Sequence, residues 1–247
     1  MPSHKRSFSF ISGFLLLFAA YHLPEFFDAF WIMAVCRIGF PVLAFFLARW
    51  QGWKGLGGYG LPFHAGWWKN LLPGLLLGMI TFTVSQLIAL LLHWETLTPQ
   101  VSAAGIMQQL PILLLFTFFP SIAEDILTRG YLHGHLRSMG AAMWIACSAL
   151  VFTGNHIWRL NDGPAVICYL LVMGFVLAYA VRTTGSLWLA FGIHWGLNIA
   201  YQFVSMFFKS RSLTTGSGPT WVYATCLAGL GLILLAGKPR KWAVSRR

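Results

Sequence analysis

The sequence predicts an all-α fold, a polytopic bundle of about eight membrane-spanning helices. Three observations lead there. Hydrophobic residues fill 57% of the 247 positions and charged residues 9%, against about 25% charged in ordinary soluble domains. Such a chain cannot coat a water-exposed globule with polar groups. Its apolar residues fall in successive runs close to the roughly 20 residues that cross a bilayer, separated by turn residues and charges. Its cations gather at the ends of those runs, which is the topology signal of a membrane protein.

The first expected span, 8–23, follows His4-Lys5-Arg6 and stops at Pro24, before Glu25 and Asp28. No small-x-small cleavage site follows it, so it reads as an uncleaved first membrane helix. The second, 29–48, contains Arg37 and Pro41, and the proline predicts a kink. Residues 49–70 are rich in Gly, Trp and Lys and read as an interfacial connector. Its aromatics (Trp50, Trp53, Tyr59, Trp67 and Trp68) suit the headgroup layer. The third span, 71–94, leads into a polar loop through Gln100. The fourth, 106–137, passes Pro111 and Pro120, and the fifth covers 139–158. The sixth and seventh cover 165–181 and 186–208; a Ser/Thr/Gly loop then precedes the eighth, 221–236, and a basic tail, 238–247.

Placing the N-terminus in the cytoplasm puts Lys5, Arg6, Arg49, Lys54, Lys69, Arg137, Arg182 and the tail inside. Arg159, Lys209, Arg211, Glu25, Asp28, Glu95 and Asp162 then fall outside. That asymmetry satisfies the positive-inside rule for eight spans. The expected setting is therefore a multi-pass protein of a prokaryotic plasma (inner) membrane with both termini cytoplasmic. The net charge of +11 belongs to this pattern. The cations form no aromatic-interleaved basic face, so nucleic acid is not an expected partner. Cys36, Cys147, Cys168 and Cys226 all lie in apolar runs without a Cys-x-x-Cys pair, which points to packed thiols rather than disulfides or a zinc ribbon. No internal repeat suggests an inverted-repeat transporter.

The fourth span carries an anomaly. Glu124 and Asp125, two of only 6 acidic residues in the chain, stand side by side, with Arg129 following. Each ionisable group at the centre of a membrane helix costs roughly 2.5–3.5 kcal/mol on insertion scales. Such residues face the bundle interior and mark function by default. On a helix Asp125 and Arg129 share a face and pair, which leaves Glu124 free of the same arginine. Two further polar groups lie inside spans, Phe152-Thr-Gly-Asn-His156 and His194-Trp-Gly-Leu-Asn198. His194 and Asn198 are four apart and point the same way. They read either as interhelical hydrogen-bonding glue or as a site.

Counted along the helices at 1.5 Å per residue, Glu124, His156, His194 and Asn198 fall at comparable depth on three helices. A carboxylate base, two imidazoles and an amide suit the activation of water and the stabilisation of an oxyanion. His133 and His135 are two apart, split across a helix, and read as interfacial.

Read in order, Glu124-Asp125-x-x-x-Arg129, Phe152-x-x-x-His156 and His194-x-x-x-Asn198 resemble the motifs of the CPBP (Abi) intramembrane proteases. That family includes type II CAAX prenyl endopeptidases and bacteriocin-processing and self-immunity proteins. The resemblance runs from about residue 119 to 198 and divides the chain three ways. Residues 1–105 carry N-terminal helices and the connector, 106–208 a protease core, and 209–247 the last helix and the tail. It implies that Glu124 activates water, His156 helps to hold it, His194 and Asn198 stabilise the oxyanion, and Arg129 orients the acidic pair. Asp125 stands where the family usually has Glu.

The implied substrate is a membrane-associated peptide or protein tail at the bilayer; in a prokaryotic host, peptides or sorting tags fit better than prenylated CAAX proteins. A metal-free glutamate mechanism is favoured, because His194-x-x-x-Asn198 offers one good ligand and no His-Glu-x-x-His is present. A divalent metal such as zinc, held by two histidines and a glutamate, is the other option. Two further readings stay open, a proton-coupled transporter using the same groups as a relay and a non-catalytic immunity or scaffold protein.

Overall fold

The computed structural model describes the backbone of residues 3–237 and the side chains of residues 8–237. The side chains of Lys5 and Arg6, and the basic tail expected at 238–247, lie outside the described residues.

Helices α1 (Ser3–His22), α2 (Phe30–Trp50) and α3 (Trp68–Leu91) come first. Helix α4 (Ala103–Asp125) then runs through a π turn (Ile126–Gly130) into α5 (Tyr131–His135). Helices α6 (Ala141–Asn155), α7 (Pro164–Thr184), α8 (Trp188–Phe207) and α9 (Gly218–Ala236) complete the bundle. With α4 and α5 counted as one continuous passage, this matches the eight expected spans. Six of these passages are long and apolar enough to cross a membrane. The other two are α6, which is shorter, and α8, whose hydropathy is diluted by His194, Asn198 and Gln202. The chain is an all-α integral membrane protein.

Contacts at the two ends of the bundle show α1 and α6 each running from one end to the other. At one end Tyr131 of α5 packs against Phe10 of α1 and Tyr59 of the connector, and Arg137 donates to the Gly58 carbonyl. At the other end His22 and Glu25 meet Asn155 and Trp158. Large apolar side chains such as Phe46, Leu76, Leu115 and Leu232 remain more than half exposed around the bundle. They form the surface that lipid covers.

Two sequence expectations change. The loop after α3 and the end of the seventh span pair as a two-stranded antiparallel ribbon, β1 (Glu95–Pro99) with β2 (Phe208–Ser212). The connector is not wholly interfacial: Trp50 and Trp68 are exposed, but Tyr59 is fully buried and donates to Gln51 Oε1 at 2.6 Å. Its hydroxyl pKa lies above the ordinary value because of burial and the neighbouring Tyr131. The four cysteines are half-buried and unpaired.

The packing of α3 on α8 is built on glycine. A Cβ on Gly78 would stand 2.1 Å from the Ile193 carbonyl, and one on Gly74 2.5 Å from that of Leu189. Reciprocally, Gly192 and Gly196 press on the carbonyls of Leu71 and Leu75. Two small-xxx-small stripes therefore face each other, the arrangement that lets membrane helices approach closely. This contact matters for the site because α8 carries His194 and Asn198.

Candidate active site

The π turn is the local feature that shapes the site. Widening the helix by one residue leaves carbonyls without their usual amide partners, and in a bilayer these need internal donors. Thr128 Oγ1 donates to the Glu124 carbonyl at 2.8 Å, and Ser148 Oγ of α6 donates to the Thr128 carbonyl at 3.0 Å. Gly130 closes the turn against the connector, where a Cβ would meet the Tyr59 carbonyl at 2.7 Å.

Asp125 and Arg129, both fully buried, form an ion pair within this one helix across the π turn. This is the predicted i,i+4 pair, and it does not pin two helices together. Arg129 also donates to Thr128 Oγ1, and its guanidinium lies 4.4 Å from the centre of the Phe152 ring. Phe152 of the second motif thus covers the cation with its ring face. The other oxygen contact of this layer joins α8: Asp125 Oδ1 lies 3.3 Å from His194 Nδ1.

Glu124 points the other way, into a cavity of about 370 Å³ that it lines together with His156, His194 and Asn198. Its Oε2 lies 3.6 Å from His194 Nε2, and its Oε1 lies 3.5 Å from His156 Nδ1. His156 is the residue that ends α6, and its Nδ1 lies 2.9 Å from the Phe152 carbonyl, which accepts from it. Asn198 Nδ2 donates to Ser121 Oγ at 2.8 Å, and Ser121 in turn donates to the Thr117 carbonyl at 2.6 Å. Four of the six residues singled out in the sequence therefore share one cavity wall, and Asp125 and Arg129 stand directly behind it.

The cavity continues between α3, α7, α8 and α9 past Phe82, Tyr169, Tyr201 and Tyr223. It reaches Glu95, Arg159, Pro219 and Thr220 at the β-ribbon end of the bundle. Its walls mix aromatic and apolar side chains with nearly as much polar surface, and Glu95 and Arg159 bring charge to the β-ribbon end. Arg159 there pairs with Asp162 at 3.1 Å. Partial burial would lower the arginine's pKa, but Tyr169 and Asp162 outweigh it and hold the guanidinium above its ordinary value.

His133 and His135 lie away from the cavity, near the opposite end. His133 is buried beside Trp144 rather than interfacial. His135 packs among Phe10, Trp53 and Tyr131. Among the described residues, no group of three or more His, Cys, Asp or Glu side chains converges in a way that could hold a metal ion.

Sequence reasoning missed Asn155. It stands inside the second motif at an unassigned position, yet its Nδ2 donates to Glu124 Oε1 at 3.1 Å. Only the spacing Asn155-His156 at a helix end hinted at it.

Residues 106–200 match the family described as type II CAAX prenyl endopeptidase Rce1-like. A comparison with curated proteins finds no match.

Proposed function

We propose, taking residues 106–200 as an Rce1-like domain of the CAAX-type intramembrane proteases, that this chain is an endopeptidase. It hydrolyses a peptide bond of a membrane-associated peptide or protein tail, and Glu124 is its general base. The observation that supports this most is the set of groups around Glu124, two imidazoles and an amide on a single cavity wall inside a lipid-facing bundle.

In this reading a water lies against Glu124 and His156 and gives its proton to the Glu124 carboxylate as its oxygen attacks the scissile carbonyl. The oxyanion that forms is met by His194 Nε2 and by the Asn198 amide. That amide has two N–H groups, gives one to Ser121, and keeps the second for the substrate. Glu124 then returns the proton to the leaving amine. Asp125, paired with Arg129, lies 3.3 Å from Nδ1 of His194 and in this reading orients the ring so that Nε2 faces the substrate.

The donor set favours this metal-free route over a metalloprotease. Among the described residues no three His, Cys, Asp or Glu side chains converge as a metal site requires, and the oxyanion partner Asn198 is an amide donor rather than a good ligand.

The positive-inside rule places the cation-rich end, with Arg49, Lys54, Lys69, Arg137 and Arg182, in the cytoplasm. The cavity mouth at Glu95, Arg159 and Thr220 then faces the other side. Substrates in this reading reach the site from the non-cytoplasmic leaflet, and the aromatic walls take apolar side chains next to the scissile bond.

The test is a comparison of peptides and new protein termini in membranes carrying the active chain or its Glu124→Gln variant. Termini that depend on Glu124 support a protease. Their absence, together with ion or solute flux in proteoliposomes, favours the carrier reading.

A further inference from the structure

The N-terminal helix reaches the site. Asn155 gives its Nδ2–H to Glu124 Oε1 at 3.1 Å, and its Oδ1 accepts from His22 Nε2 at 3.1 Å. The other nitrogen of His22, Nδ1, lies 2.6 Å from Glu25 Oε2. Glu25 is anchored in turn by Trp158 Nε1, which donates at 2.8 Å, with Arg37 of α2 at 3.9 Å. His22 and Asn155 are both buried. His22 is further clamped by Phe18, whose ring centre lies 4.4 Å away. An unbroken polar row thus runs from Glu25 at the bundle surface, through His22 of α1 and Asn155 of α6, to the buried Glu124 of α4.

The row has a fixed sense. A carboxylate oxygen accepts, so Asn155 must turn its NH2 toward Glu124, and its carbonyl oxygen is then left for His22 Nε2–H. The reversed amide would set two oxygens against each other and two donors against each other. Both neighbours of the His22 ring are accepting oxygens, so both its nitrogens must donate, Nδ1–H to Glu25 and Nε2–H to Asn155; Asn155 is thus oriented from both sides and in turn holds Glu124 Oε1. With Oε1 held by Asn155 the carboxylate plane is fixed, Oε2 facing His194 and Oε1 keeping a second lone pair on the side of His156. A buried polar group of this kind is costly unless every member is satisfied, and a row crossing from α1 to α4 has no need of catalytic geometry merely to hold helices together.

We propose that His22 and Asn155 are positioning residues for Glu124, and that α1, outside the segment matched at 106–200, completes the active site. This rests on the reading of Glu124 as the base. The two ring nitrogens of His22 separate positioning from packing. Gln can replace the Nε2 donor toward Asn155, whereas Asn reaches only the Nδ1 side toward Glu25.

The experiment uses the full-length protein, purified in detergent, and records the infrared carboxylate bands of Glu124 as a difference against Glu124→Gln. The row predicts shifted bands in Asn155→Ala and His22→Asn, and wild-type bands in His22→Gln. In proteoliposomes, cleavage of an internally quenched acyl-anchored peptide should lose kcat by about 10- to 100-fold in Asn155→Ala and His22→Asn, the scale of a misplaced reacting group. KM should stay put, and His22→Gln should keep most of the rate. His22→Asn in the Asn155→Ala background should add little, since both act through one contact. Unshifted bands in Asn155→Ala, or equal effects of His22→Gln and His22→Asn, would overturn the proposal. Those spectra need no turnover, so they separate its failure from a failure of the reading of Glu124 as the base, which shows as unchanged cleavage in Glu124→Gln.

Discussion

Asp125 Oδ1 stands 3.3 Å from Nδ1 of His194, so the carboxylate that pairs with Arg129 also faces the imidazole of α8. Both residues are buried, and the oxygen that pairs with Arg129 is the one that stands beside the imidazole. Asp125→Ala leaves Arg129 charged and unpaired in the bundle, and breaking such a pair costs about 3–5 kcal/mol. Thermal unfolding in detergent should show that loss as a clearly lower midpoint. Asp125→Glu should keep the arginine pair, and a rate that drops while the midpoint holds would place the aspartate's role at His194.

The α3–α8 contact makes a second prediction. Gly78→Ala sets a methyl against the Ile193 carbonyl and Gly196→Ala sets one against that of Leu75, and overpacking of this kind costs about 1–3 kcal/mol. Each variant should lower the unfolding midpoint. Both should also reduce cleavage by moving His194 and Asn198, although neither glycine touches the cavity. An unchanged midpoint in Gly78→Ala would contradict the close approach.

Orientation is open to direct labelling. With Cys36, Cys147, Cys168 and Cys226 replaced by alanine, Thr220→Cys at the cavity mouth should react with an impermeant maleimide on intact cells. Lys54→Cys should react only after permeabilisation. The reverse pattern would turn the protein over and send substrates in from the cytoplasm.

The metal-free route predicts that cleavage survives dialysis against a strong chelator within about two-fold, since no step then draws on a Lewis acid. Loss of activity restored by added zinc, with stoichiometric zinc in the purified protein, would favour the metalloprotease.

Much of this was legible in the sequence because the bilayer makes polar residues conspicuous. Glu124, His156, His194 and Asn198 stood out against apolar runs, and the counted depth of each brought them to one level; the structure sets all four around one cavity. The π turn was not legible, because 126–130 reads as ordinary helix and the widening comes from contacts with Ser148 and Tyr59. Nor was the β1–β2 ribbon, whose strands are 5 residues each and more than 100 positions apart. The paired glycine stripes 74/78 and 192/196 were visible as motifs but went unread. Asn155 and His22 lay hidden because an asparagine beside a motif histidine and a histidine at a helix end are both ordinary, and only their 3.1 Å contact gives them meaning.

The central claim is that the Glu124 carboxylate activates the water. Its most direct test is the cleavage rate of Glu124→Gln in proteoliposomes, a change that keeps size and hydrogen bonding but removes the base. A loss of about 10²-fold or more, as expected for a general base, with an unfolding midpoint like that of the wild type, is the predicted result. Cleavage by Glu124→Gln at the wild-type rate would contradict it.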